Sequence, residues 1–485
     1  MNMPQIGGDS RAQVEVRAEL MDIARLAYIY GFPSYEVARL RYRALSLPRK
    51  GNPLRPNTFL HTKALSTPTT TVVTAVNSDT LLSRAWIDLS RGPLIIHVPD
   101  AVDRYYSLAL MDFFTNNFAV LGRRSAGTAA GNFLLAGPRW DGASRAGMTL
   151  VRAPTNAVWA LARVLVYGAD DLAVANALQE QFTITRSGLT ENGQPSRDPL
   201  SLPVPALETI PDLLTFFDVL NAVLTENPPP ARDRAILDRL QMIGVGPSLH
   251  FNRRDFSRPQ LDALQQGLAS AQDTIRAQVG FRTLTHQRAE RMHWPSDALL
   301  AQLRGPLDSS QVQTRGDRRR GWSGALGQRG TFGSDYLSRA QCALAGLGLL
   351  PREEAIYFST ATDAVGAVLN GGSRYVLSFP PASLPPVDGF WSLTMYRTDE
   401  NNRRWLVPNV INRYSLGNHT PGLRYRSDGS LEILIQHDRP PADEQNWLPA
   451  PEGRFLLTLR AYLPRRELRE GEYTIPDVQR RSSLE

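Results

Sequence analysis

Tyr106-Ser-Leu-Ala-Leu-Met-Asp-Phe-Phe-Thr-Asn-Asn117 lines up without a gap against Trp391-Ser-Leu-Thr-Met-Tyr-Arg-Thr-Asp-Glu-Asn-Asn402. Each stretch follows an apolar run ending in proline, IIHVP at Pro99 and VLSFP at Pro380. Each precedes a run ending in arginine, VWALAR at Arg163 and LLTLR at Arg460. Three landmarks in one order predict a duplicated unit. In the later copy Trp391, Leu393 and Met395 fall on one face and Phe390, Ser392, Thr394 and Tyr396 on the other, the period of two that a strand requires. The expected fold class is mostly β with helices: two jelly-roll-like β-sandwich domains joined by a helical segment. Segment 105–114 should then be equivalent to 390–399, with Asn116 and Asn117 at the rim position of Asn401 and Asn402.

Outward from that match, short apolar runs separated by Pro, Gly and Asp mark strands on both sides. TVVTAV, AWIDLS, PLIIHVP, NFLLAGP, MTLVRAP and VWALARVLVY place a first sandwich at 68–169, and SRYVLSFP, GFWSLTMYR, SLEILIQH and GRFLLTLRAYLP place a second at 354–485. Between them, 170–353 reads as helical. It contains IPDLLTFFDVLNAVL (210–224), a helix closing on Gly244, patterns near 259–278, 284–304 and 334–349, and a polar loop at 305–333. Residues 1–67 hold helices, with the first predicted to break at Gly31-Phe32-Pro33.

The bulk composition narrows the function classes. A chain of 485 residues exceeds one core, and 42% hydrophobic with 21% charged residues is ordinary globular usage. No apolar run approaches the length of a spanning helix, so no membrane span is expected. The first residues lack a basic n-region and an apolar h-region, which makes cytoplasmic the default, or periplasmic or secreted if a signal has been removed. The single Cys342 excludes internal disulfides and multi-cysteine zinc sites, and its apolar surroundings predict a buried, inert thiol. Of the 54 basic residues only Lys50 and Lys63 are lysines, and the arginines are spread along the chain. Without a basic stripe carrying interleaved aromatics, the net charge of +7 does not predict nucleic-acid binding.

The first half resembles the family of unknown function numbered 1254, through AYIYGFP (27–33), NSDTLLSRAWIDLS (77–90), VPDAVDRYYSLALMDFFTNNFAVLG (98–122) and PTNAVW (154–159). The last part resembles its usual partner, numbered 1214, through LPPVDGFWSLTMY (384–396), INRYSLG (411–417), DGSLEILIQ (428–436) and NWLPAPEGRFLLTLRAYLP (446–464). The resemblance implies two β-sandwich domains joined by helices and implies no activity. Leu82 stands where that family usually has Tyr.

Chemistry is thinly marked. No Gly-x-Ser-x-Gly elbow, phosphate-binding loop, His-Glu-x-x-His or dinucleotide fingerprint occurs, so no organic cofactor is expected. One candidate cluster is Asn77, Asp79, Asp112, Asn116 and Asn117, residue types suited to acid/base work, hydroxyl binding or strand-end turns. Asp79 and Asp112 are the obvious carboxylate couple, with Asn77 and Asn116 orienting. A second cluster joins Trp391, Tyr396, Arg413, Tyr414, Asn446 and Trp447, where an arginine fork could clamp an anion beside a flat aromatic wall. His286, Glu290 and His293 share a helical face and form a metal-ligand alternative, which the flanking Arg288 and Arg291 disfavour. The expected function is an enzyme on a polar small-molecule or sugar-like substrate, a hydrolase or lyase. A non-catalytic glycan- or protein-binding scaffold is the alternative from another class.

Overall fold

Strand alternation, carried by β-branched, leucine and aromatic residues, builds four sheets in the computed structural model. It describes residues 10–46, 54–71, 75–188, 204, 212–278, 321–324, 330–399 and 404–481. The first half contains β1 (Leu60–His61), β2 (Thr80–Asp88), β3 (Leu94–Val98), β4 (Tyr106–Asp112), β5 (Asn117–Gly122), β6 (Gly131–Ala136), β7 (Thr149–Arg152), β8 (Ala157–Leu165) and β9 (Thr183–Arg186). The second contains β10 (Ser323–Gly324), β11 (Ala355–Thr360), β12 (Tyr375–Phe379), β13 (Trp391–Thr398), β14 (Arg404–Leu406), β15 (Ser415–Gly417), β16 (Leu431–Gln436), β17 (Trp447–Pro449), β18 (Phe455–Tyr462) and β19 (Gln479–Arg480). Strands β1, β9 and β10 lie beyond the boundaries expected from sequence, and no strand forms at Ala75 and Val76 of the TVVTAV run.

The two halves repeat each other's strand order, with β14 and β15 together standing where the first half has β5. Their larger sheets run β1-β2-β8-β4-β5 and β10-β11-β18-β13-β14, with β15 also on β13; their smaller sheets run β7-β6-β3-β9 and β17-β16-β12-β19. Even the one parallel pair recurs, β6 with β7 and β16 with β17. The register agrees too: Ser107 faces Arg163 as Ser392 faces Arg460. Within each half the two sheets close on an apolar layer, Leu81, Ile96, Leu108, Leu135 and Val158 in one, and Leu377, Leu393, Ile433 and Leu457 in the other. Leu108 and Leu393, equivalent in the sequence match, are both fully buried. The comparison of Asn116 and Asn117 with Asn401 and Asn402 lies outside the described residues.

Helices α1 (Ser10–Ser46), α3 (Thr215–Glu226), α4 (Arg234–Leu240), α5 (Arg258–Gln278) and α6 (Tyr336–Ala345) pack together, with α2 (Leu172–Gln179) beside the first sandwich. The predicted break at Gly31-Phe32-Pro33 does not occur: α1 runs continuously with Pro33 inside it. A proline forfeits one backbone bond, but here Ala24, Ala27, Ile29, Tyr30 and Tyr35 are buried around it and burial outweighs that loss. Gly31 is what permits the crossing with α3, since a Cβ there would stand 2.7 Å from Leu220. Cys342 on α6 is half-buried rather than buried, because it sits beside the core-facing positions Leu337, Ala340 and Ala343.

Candidate functional site at the seam between the halves

The outer faces of the two larger sheets meet. Leu165, Tyr105 and Val120 from the first half pack on Phe390, Tyr462, Ala355 and Leu350 from the second. Phe390 and Tyr462 stack at 4.2 Å, and Tyr105 closes on both rings at 5.3 Å.

Beside this apolar plug lies a buried polar cluster drawn from both halves. Asp79, just before β2, is 1% exposed. Its carboxylate accepts from Ser392 Oγ at 2.7 Å and Ser415 Oγ at 2.6 Å, and His419 Nε2 stands 3.5 Å away. Ser78 Oγ donates onward to Ser415 Oγ at 3.2 Å. Arg460, on β18, donates to Thr394 Oγ1 at 2.6 Å, to the Ala75 carbonyl at 3.1 Å and to Tyr396 Oη. Tyr396 Oη donates in turn to the Val76 carbonyl at 2.6 Å, and Asn77 Nδ2 reaches Tyr462 Oη at 2.7 Å.

Burial alone would push the Asp79 carboxyl upward. His419, the charge of Arg460 and the Ser415 hydroxyl outweigh it and hold the group at about 2, well below the usual carboxylate range. Asp79 is therefore a fixed anion at neutral pH, and its role as a proton-transferring acid or base does not fit this setting. His419 has the opposite character. Its side chain is 7% exposed and its Nδ1 is buried with no hydrogen-bond partner. Glycine at 417 leaves that nitrogen its space, since a Cβ there would lie 3.0 Å from it and 2.0 Å from the Trp391 carbonyl.

The structure brings together Asn77, Asp79 and Tyr396 of the residues singled out by sequence, and adds Ser392, Thr394, Ser415, His419, Arg460 and Tyr462. It does not bring Asp112. In register Asp79 lies beside Val166 at the end of β8 whereas Asp112 faces Val158, so the two aspartates sit at opposite ends of one sheet, roughly 26 Å apart at strand rise. Carboxylates that share a glycosidic bond stand about 5–9.5 Å apart. The carboxylate couple is thereby excluded. Asp112 instead holds a turn: its Oδ1 accepts the backbone N–H of Phe114 at 2.9 Å and of Asn116 at 2.8 Å. Asn116 Oδ1 then accepts from Phe332 N at 3.0 Å, and Asn117 Nδ2 donates to the Leu349 carbonyl at 2.7 Å. Both asparagines tie the turn to the chain leading into and out of α6.

The second cluster is structural as well. Trp391 and Trp447 are core residues, 1% exposed, with Trp447 Nε1 satisfied by the Gln436 carbonyl. Arg413 Nη1 donates to the carbonyls of Glu444 and Trp447 at 2.6 and 2.9 Å, which ties this arginine to the loop before β17. Asn446 Nδ2 bridges the Arg424 and Glu432 carbonyls, and Tyr414 Oη donates to Asn412 at 3.1 Å. With both tryptophans buried, no aromatic wall results. The metal alternative at His286, Glu290 and His293 lies outside the described residues. Among the described residues no group of three or more His, Cys, Asp and Glu side chains could hold a metal, and no helix is long and apolar enough to cross a membrane.

Sequence-family comparison decides the kinship. The model described as protein of unknown function DUF1254 matches residues 56–186, and that of DUF1214 matches 354–466. The chain belongs to the paired DUF1254 and DUF1214 family. The two matches coincide with the two sandwiches, and the Asp79 cluster joins them. Leu82 faces Arg163 in the first half, and in the second half Tyr357 faces Arg460 in the same register. The crystal structure of the VPA0106 protein from Vibrio parahaemolyticus is similar, at 25% identity over 96% of this chain and 100% of its own, with a TM-score of 0.66. A structure of an uncharacterised protein from Burkholderia cenocepacia is 12% identical over 99% of this chain and 90% of its own, with a TM-score of 0.42. No curated protein matches the chain.

Proposed function

We propose that DUF1254–DUF1214 pairing in this chain builds an acid/base enzyme, a hydrolase or lyase of a polar small-molecule or sugar-like substrate, with His419 as the proton-transferring residue. The observation that carries this reading is the buried, unpartnered Nδ1 of His419 opposite an Nε2 that faces the Asp79 anion. A carboxylate on one ring nitrogen favours the proton there and leaves a lone pair on the other. Nδ1 is then the base, for water in a hydrolase or for a carbon-bound proton in a lyase. Asp79 orients the ring, and Ser392 and Ser415 hold Asp79. Asn77 and Ser415 are each partly exposed, which gives the cluster an edge toward solvent, with the His419 ring beneath it.

The scaffold reading is favoured by a different observation: nearly every polar atom around Asp79 is satisfied from within the chain. The two readings part in one experiment. A panel of sugar lactones, esters and hydroxy acids is offered to the wild-type chain and to His419→Gln. Turnover lost in the variant at an unchanged thermal midpoint supports the enzyme; no turnover of any panel member, or turnover retained by His419→Gln, rejects it.

A further inference from the structure

The second sandwich carries, away from the seam, an open groove of about 830 Å³ lined by Arg374, Arg480, Arg481, Ser373, Asp438 and Glu452 among others. It forms where β12 and β19 pair: Tyr375 faces Arg480, and the next rung is Arg481 N–H donating to the Arg374 carbonyl at 2.9 Å. Arg374 and Arg481 are therefore directly opposed on an antiparallel rung. Like charges so placed repel one another, and no carboxylate among the described residues pairs with either arginine. A neutral residue at either position would remove this repulsion.

We propose that this groove binds a carboxylated sugar, a uronic acid unit or short chain of them. A guanidinium fork takes a carboxylate with two parallel bonds, and two opposed forks release their mutual repulsion when an anion sits between them. The ligand is not a dense polyanion, because Asp438 and Glu452 on the same groove repel one. Those carboxylates and Ser373 suit hydroxyl groups instead. A ligand that alternates a carboxylate with several hydroxyls satisfies both sets, and a sugar acid has that chemistry. The proposal is independent of the seam, whose residues the groove does not share.

The test is calorimetric titration of the full chain with tri-galacturonate, its neutral galactose counterpart and tripolyphosphate. Tri-galacturonate should bind, and weaken as salt rises; the neutral trimer should not. Arg374→Gln with Arg481→Gln should raise the Kd by roughly tenfold or more, while His419→Gln leaves it unchanged. Circular dichroism and the thermal midpoint establish that the double variant is folded, and Arg374→Gln alone serves as the milder substitution if it is not. Absence of tri-galacturonate binding, binding indifferent to the arginine substitutions, or tighter binding of tripolyphosphate each overturns the proposal.

Discussion

Glu354 occupies in the second half the position Asp79 occupies in the first. In register Asp79 is one residue before Thr80, which faces Leu165, and Glu354 is one before Ala355, which faces Tyr462. Their carbonyls accept equivalent backbone bonds, from Val166 at 3.0 Å and from Leu463 at 2.9 Å. Each carboxylate also crosses the seam to a residue that stands two positions past the Gly at the end of β5 or β15. Asp79 meets His419, and Glu354 accepts from Arg124 Nε at 3.1 Å and from Tyr105 Oη at 2.9 Å. The halves exchange the same contact in both directions, which is the arrangement a duplicated sandwich produces when its two copies pack face to face.

Asp79→Asn should cost about 3–5 kcal/mol, because it removes one partner from a buried charged network and leaves Arg460 without its counter-charge. The carboxyl sits at about 2 in the folded chain against an ordinary 3.8. Its stabilisation is therefore complete above pH 4 and fades as pH falls toward 2, by roughly 2 kcal/mol. Urea midpoints measured across that window should fall for the wild type and lose this component in Asp79→Asn.

Asp112 predicts the reverse slope. Burial is the largest influence and pushes its carboxyl up to about 6, against the opposing bonds from Asn116 and Phe114 and the charge of Arg339. The folded state then holds the proton more tightly than the unfolded chain. Stability from this group is complete below pH 4 and is lost as pH rises to 6, by roughly 3 kcal/mol. Asp112→Asn keeps an oxygen for the Phe114 and Asn116 N–H groups and should flatten this slope, with stability at pH 7 within about 1 kcal/mol of wild type. A slope unchanged by the substitution would place the titration elsewhere.

The duplication was legible because strand register is itself a sequence pattern. Ser107, Leu108 and Arg163 recur in the same order as Ser392, Leu393 and Arg460, and the ladders pair them alike. The site was half legible. Asp79 and Asn77 announced themselves as polar residues at a strand start, but His419 showed no partner at ligand spacing since its partner lies in the other half of the chain. Arg413, Trp391 and Trp447 were misleading because composition does not distinguish an aromatic wall from a core, or a ligand clamp from an arginine that satisfies a loop. The continuous α1 was hidden for a related reason: a proline's local cost is visible in sequence and the burial that overrides it is not.

Gly31→Ala tests that override. Alanine raises helix propensity by about 1 kcal/mol over glycine, so in an exposed helix the change stabilises. Here the new methyl would stand 2.7 and 2.8 Å from the two Leu220 Cδ atoms and 3.1 Å from Phe216. Overpacking of that kind costs about 1–3 kcal/mol and should win. A lowered thermal midpoint is expected, restored in part by Leu220→Ala in the same chain.

The two seam arginines offer a comparison controlled by the duplication itself. Arg460 is buried and gives three bonds, to Thr394, Tyr396 and Ala75. Arg163, its equivalent, gives one, to the Gly348 carbonyl at 3.0 Å, and its Nη1 is buried without a partner. The reason is in the sequence: Ala109 and Met111 stand where the second half has Thr394 and Tyr396. Replacing Arg460 by methionine should therefore cost about 3–5 kcal/mol, since it orphans buried acceptors and removes a positive charge that acts on the Asp79 anion. Replacing Arg163 should cost about 1 kcal/mol, one hydrogen bond offset by removal of an unsatisfied donor. Burial pushes the Glu354 carboxyl up and Arg163 is one of the positive charges that oppose it, so Arg163→Met should push that carboxyl further up. Equal losses for the two substitutions, measured by urea unfolding at pH 7, would show that burial of the side chain and not its bonding sets the stability of the seam.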